Sequence, residues 1–103
     1  MSESLINNLV EAISKNDVDG FRASLTHDFA RDFSPTAIAA VIEPLVPRLR
    51  ARYSIKSIGS FNQQGMVVDF YQITVADGGD DILIRAIVED GQIAGLLITA
   101  PFD

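Results

Sequence analysis

"VEDGQIAGLLITAP", residues 88–101, decides how the C-terminal half of this chain is read. Asp90-Gly91 stands between two apolar runs, and glycine accepts the positive φ that a tight primed hairpin turn demands. After the turn, apolar side chains occupy odd and even positions alike, from Ile93 through Ile98. A strand with one wet face alternates instead. Both faces of this strand therefore need a cover.

The strand pattern extends upstream to Tyr53. "YSIKSIGSFNQ", "MVVDFYQITVA", "DILIRAIVE" and "QIAGLLITA" read as four strands, split by Gln64-Gly65, by Asp77-Gly78-Gly79-Asp80 and by Asp90-Gly91. Before them the period changes to that of helices. In "ESLINNLVEAISKN" the apolar stripe is Leu5, Ile6, Leu9, Val10 and Ile13, with Ser2 or Ser4 as cap. Asn16-Asp17 ends this helix, and Asp17 caps a short second one carrying Val18, Phe21 and Leu25. "THDFARDF" reads as a helical turn or an irregular lid. Ser34 as N-cap and Pro35 at the first helical position then open the third helix, whose stripe is Ile38, Val41, Ile42, Leu45 and Leu49. Pro44 and Pro47 predict a break near Ile42-Glu43, with Pro44 starting a second short turn. Helices followed by an antiparallel meander make an α+β order, in a single domain over residues 1–103.

The turns assign the faces. With Gly78-Gly79 and Asp90-Gly91 as two-residue loops, Val75, Ile73, Tyr71 and Asp69 lie opposite Ile82, Ile84, Ala86 and Val88. Those in turn face Thr99, Leu97, Gly95 and Ile93, on the side that receives the helices. The other side collects Val68, Phe70, Gln72 and Thr74, then Leu83, Arg85 and Ile87, then Ala94, Leu96 and Ile98. It is largely apolar, larger than the patches monomers usually expose, and no further helix is left to cover it. A second copy of the sheet is the natural cover, because an isologous dimer needs only one self-complementary patch. Val68, Phe70, Gln72, Leu83, Arg85, Ile87, Leu96 and Ile98 are the candidate interface. A slip of one residue would exchange the faces of a strand.

Composition narrows the function. Of 103 residues, 48% are hydrophobic and 21% charged, which excludes a disordered chain. No apolar run approaches the roughly 20 residues of a membrane span. The start "MSESLINNLV" has no basic segment and no cleavable apolar one, so a cytoplasmic protein is expected. The chain has no cysteine and one histidine, His27, which excludes thiolate and multi-histidine metal sites and cysteine nucleophiles. With 14 acidic against 8 basic residues and a net charge of −6, a nucleic-acid partner is not expected. Arg48, Arg50 and Arg52 read as a solvated helix C-terminus offsetting the macrodipole. His27 and Asp28, adjacent on a helix, do not face each other. No nucleophile elbow is present, and Gly78-Gly79 is a hairpin turn without the following helix of a phosphate loop. No cofactor is expected.

"LVEAISKNDVDGFRASLTHDF" and the closing "DGQIAGLLITAP" resemble the nuclear-transport-factor-2-like (SnoaL-like, cystatin-like) superfamily, and more closely a short bacterial branch known as a domain of unknown function. The resemblance spans nearly the whole chain and rests on structural motifs. It implies three N-terminal helices packed on a curved four-stranded antiparallel sheet. The open end of such a cone is often a ligand cavity, and sheet-mediated dimers are common. Longer members carry a strand or hairpin where this chain has only "THDFARDFS", which implies a smaller cavity. Superfamily isomerases and cyclases use a cavity carboxylate and a tyrosine. The matching pair here is Asp69 and Tyr71, two apart on one strand and so on one face. Phe29, Phe33, Tyr53, Asp69 and Tyr71 are the candidate pocket residues. Beside this stands the plainer reading, in which Asp69 is a rim carboxylate and Tyr71 packs the core. The leading expectation is a non-enzymatic homodimeric module binding a small apolar ligand or a protein partner. The alternative is an isomerase or lyase acting on a small hydrophobic carbonyl compound.

Overall fold

The structure, a computed structural model, describes residues 3–99. Five helical segments precede four strands: α1 (Glu3–Ser14), α2 (Val18–Ala23), α3 (His27–Asp32), α4 (Pro35–Ile42), α5 (Val46–Arg50), β1 (Tyr53–Gln63), β2 (Met66–Val75), β3 (Ile82–Glu89) and β4 (Gln92–Thr99). The strands form one antiparallel sheet in sequence order. The expected cap at Ser2 and the expected last strand residue, Ala100, lie outside the described residues, and Ser4 stands within α1.

Local chemistry sets the helix boundaries. Asn16 takes a left-handed φ of 55°, which stops α1. The Asp17 carboxylate then accepts from the Gly20 N–H at 2.9 Å to start α2. Thr26 and Ser34 cap α3 and α4 in the same way, through the N–H groups of Phe29 and Ala37. "THDFARDF" is therefore a true helix. The proline-bearing third helix divides as its sequence predicts, with α4 ending at Ile42 and capped by Glu43. The second piece starts at Val46, with Pro44 left in the intervening turn.

Every helix contributes to one core against the inner face of the sheet. Ile6, Leu9, Phe21, Ile38, Ile42 and Leu49 pack with Tyr71, Ile73, Ile82, Ile84, Ala86 and Ile93. Gln64-Gly65 and Asp90-Gly91 are two-residue turns with positive φ at both positions, the geometry that suits strand twist.

Two of the expected registers are corrected. Ile73 pairs with Ile82, where a two-residue Gly78-Gly79 loop would have paired it with Ile84. The loop is longer because Asp77 is occupied on both sides. Its carboxylate accepts from the Gly79 N–H at 2.8 Å and from Arg48 Nε at 2.9 Å. Arg48 is thus a clamp between α5 and this loop, beyond its expected role at a helix end. The shift is an even number of residues, so the faces of β2 and β3 survive.

The second correction reverses part of β4. Val88 pairs with Ile93, but Ile87 pairs with Gly95, leaving Ala94 as a bulge. Beyond it the parity of the strand inverts. Leu96 pairs with Ala86 and Ile98 with Ile84, so both turn inward and pack on the core. Leu97 and Gly95, expected inside, face outward. The cause sits at the strand's edge. Ile93 donates to the Ser24 carbonyl and accepts from the Thr26 N–H, each at 2.8 Å, so the α2–α3 connection grips β4 on the side away from β3. The bulge lets Ile93, Leu96 and Ile98 all reach the core from a strand whose apolar spacing is three and then two.

Candidate functional site

The outer face of the sheet is built from alternating residues of all four strands. The cross-strand rows are Phe61–Val68–Ile87–Gly95, then Gly59–Phe70–Arg85–Leu97, then Lys56–Gln72–Leu83–Thr99. Phe61 is 56% exposed, Leu97 49%, Leu83 43% and Met66 42%, while Val68 beneath them is buried. Phe61 and Phe70 meet edge to face at 5.3 Å between ring centroids. Gln63, Met66, Val68, Arg85 and Ile87 border a cleft of about 460 Å³ on this face. The side chains that remain exposed here are those a partner would bury.

Of the expected interface residues, Val68, Phe70, Gln72, Leu83, Arg85 and Ile87 stand on this face. Leu96 and Ile98 do not, and Leu97 replaces them. Nothing in the apolar run Ile93–Ile98 sets Leu97 apart from its neighbours, and the bulge at Ala94 alone turns it outward. Phe61 and Met66 also belong to the face, brought there by the β1–β2 hairpin.

The residues expected to form a pocket are distributed differently. Asp69 and Tyr71 share the inner face, as expected from their spacing. Tyr71 is buried among the core side chains, and the Ser60 hydroxyl donates to the Asp69 carboxylate. Tyr53 pairs with Val75, six positions along β2 from Asp69, a separation of roughly 20 Å by strand rise. It borders a separate cleft of about 240 Å³ with Arg52, Ser54, Thr74 and Ala76. Phe29 and Phe33 meet at a tilt of 49° with ring centroids 5.6 Å apart, and Phe33 meets Phe21 edge-on at 6.0 Å. Both pack on the core. The five therefore do not line one compact pocket. Among the described residues, no cluster of three or more His, Cys, Asp or Glu is arranged to hold a metal, and no helix is long and apolar enough to cross a membrane.

Neither a protein-family model nor a curated protein matches this sequence. Solved structures do resemble the fold. An uncharacterized cystatin-fold protein from Novosphingobium aromaticivorans superposes with a TM-score of 0.50 at 11% identity, covering 96% of this chain and 97% of that one. This chain has the cystatin-like fold. An NTF2-like protein of unknown function from Cytophaga hutchinsonii matches with a TM-score of 0.48 at 11% identity, over 96% of this chain and 88% of that one. In this cystatin-like fold the helices occupy the inner face, which leaves the outer face as the candidate site.

Proposed function

We propose that this chain is a non-catalytic module that assembles as a homodimer through the outer face of its sheet, and that serves a small apolar ligand or a protein partner. The observation that carries the reading is the cluster of exposed Phe61, Met66, Leu83 and Leu97 around Phe70 and Ile87, on a face built from every strand. Burial of such a surface favours association at roughly 25 cal/mol per Å² of apolar area, before the entropy of association is subtracted. One patch facing its own copy meets the symmetry requirement of a closed dimer.

The non-catalytic part is supported by the surroundings of Asp69 and Tyr71. Tyr71 is enclosed by core side chains, and Asp69 is engaged by Ser60 across the strand pair. The isomerase or lyase alternative retains one supporting observation, the shared face of those two residues. Sedimentation velocity tests the leading reading: a dimer is expected for the natural chain. Leu83→Lys, Ile87→Lys and Leu97→Lys are each expected to be folded monomers. A natural chain that sediments as a monomer at micromolar concentration overturns the homodimer. Turnover of a small carbonyl compound that is abolished by Asp69→Asn would favour the alternative.

A further inference from the structure

We infer that the second copy lies antiparallel over β3 with the two-fold axis at Ile87, so that Arg85 of each copy meets Glu89 of the other. This rests on the homodimer proposed above and supplies its register. Asp81, just before β3, and the outward residues of β3 read Asp81, Leu83, Arg85, Ile87, Glu89: acid, apolar, cation, apolar, acid. Arg85 and Glu89 are both exposed, and among the described residues no ion pair engages either of them. A lone cation between Phe70 and Leu97 is poorly placed against an apolar partner unless that partner brings an acid to it.

For aligned sheets with β3 seated over its own copy, symmetry leaves few arrangements. Two identical sheets packed face to face are related by a two-fold axis lying in the interface plane. An axis along the strands reverses each row over its copy: run over β3 it sets cation on cation at Arg85, and run between β2 and β3 it sets Arg85 on Phe70 with no acid opposite. An axis across the strands reverses β3 over its copy, and the register then depends on its centre. Centred on Arg85, the cations again meet, and Asp81 meets Glu89. Centred on Leu83, Arg85 reaches Asp81, which already accepts from the Gln72 amide, and the central row is the polar Lys56–Gln72–Leu83–Thr99.

Centred on Ile87, opposite charges meet and the most apolar row, Phe61–Val68–Ile87–Gly95, stacks on itself. Phe70 then faces Met66 of the second copy, a favourable sulfur–aromatic pairing. Aligned sheets stack about 10 Å apart, a gap that an arginine and a glutamate span from opposite sides.

Charge exchange in the full chain tests the register. Arg85→Glu and Glu89→Arg are each expected to raise the dimer Kd at least about tenfold. The double variant Arg85→Glu/Glu89→Arg is expected to return to within about threefold of the natural chain, because the pair is remade with its signs reversed. The chain has no cysteine, so an introduced thiol is unique. Ile87→Cys is expected to cross-link to its own copy with a short bismaleimide. Leu83→Cys, about 26 Å from its copy in this register, is not. A natural chain that is monomeric overturns the homodimer and the register together. A dimer rescued by Arg85→Glu/Asp81→Arg, rescued by no exchange, or cross-linked through Leu83→Cys overturns the register and leaves the homodimer standing.

Discussion

Gly95 lies directly beside Ile87: a Cβ on the glycine would stand 3.0 Å from Ile87 Cδ1. The isoleucine side chain therefore leans across β4 through space that only glycine leaves open, which smooths the outer face where the two strands pair. Gly95→Ala forces Ile87 to move outward. In a monomer that movement meets solvent, and alanine's better strand entropy offsets it, so stability is expected to stay within about 0.5 kcal/mol. In a dimer the displaced side chain obstructs the facing sheet, and Kd is expected to rise about tenfold. Calorimetry at low concentration and sedimentation equilibrium separate the two effects. Unchanged association would remove Ile87 from the interface.

Leu96 and Leu97 are neighbours with opposite fates because of the bulge at Ala94. Leu96 is packed on the core and Leu97 is 49% exposed. Leu96→Asp places a carboxylate among apolar side chains, with an expected loss of about 3 kcal/mol from the monomer. Leu97→Asp is expected to cost the monomer under about 0.5 kcal/mol while abolishing association. Urea unfolding under dilute conditions reads the first difference. If the two variants lose stability equally, β4 does not bulge there.

The sequence carried the order of elements, the caps and the turns, because each depends on a few adjacent residues. Ser34-Pro35, Asp17 and Asp90-Gly91 specify their own geometry wherever they occur. The bulge depends on Ser24 and Thr26, some seventy residues away in sequence, reaching Ile93 at 2.8 Å. No pattern within β4 alone states that contact. The β2–β3 loop is alike, since its length is set by Arg48 on α5. The outer face was therefore legible on β2 and β3, and illegible on β4, where a single unpaired residue exchanged the roles of Leu96 and Leu97. Asp69 and Tyr71 were correctly placed on one face, yet their occupation by Ser60 and by the core required the full packing.

The Ser34 cap offers a local test of the helical layer. Its hydroxyl accepts from the Ala37 N–H at 3.1 Å and opens α4, which carries the buried Ile38 and Ile42. Ser34→Ala is expected to cost about 1 kcal/mol, and Ser34→Asp to restore most of it, since a carboxylate also suits the positive end of the helix dipole. Thermal unfolding of the three proteins under identical conditions checks the order. Equal melting for serine and alanine would mean that α4 does not begin at this cap.

Arg48 and Asp77 give the protein a defined response to acid. The arginine side chain is 17% exposed and the aspartate 30%, and they meet at 2.9 Å with a second contact at 3.4 Å. Arg48 first, and then the Gly79 N–H, hold the Asp77 carboxyl below its ordinary value of 3.8. A lowered pKa in the folded state means that the unfolded chain binds the proton more readily. The stabilisation is therefore fully present above about pH 3.8 and is lost as pH falls through the lower folded value. Asp77→Asn keeps the turn hydrogen bond to Gly79 and removes the charge. Across neutral pH the variant is expected to be less stable by a constant amount, and the difference is expected to shrink below pH 3.8 until the two proteins unfold alike. The exposed pair of Glu11 on α1 and Lys15 just beyond it, although closer at 2.7 Å, is expected to contribute little, because solvent screens it. Urea titrations of the natural chain and Asp77→Asn at a series of pH values measure the difference directly. A gap between the two that persists unchanged into strong acid would show that Asp77 acts through the shape of its turn and that its charge on Arg48 is immaterial.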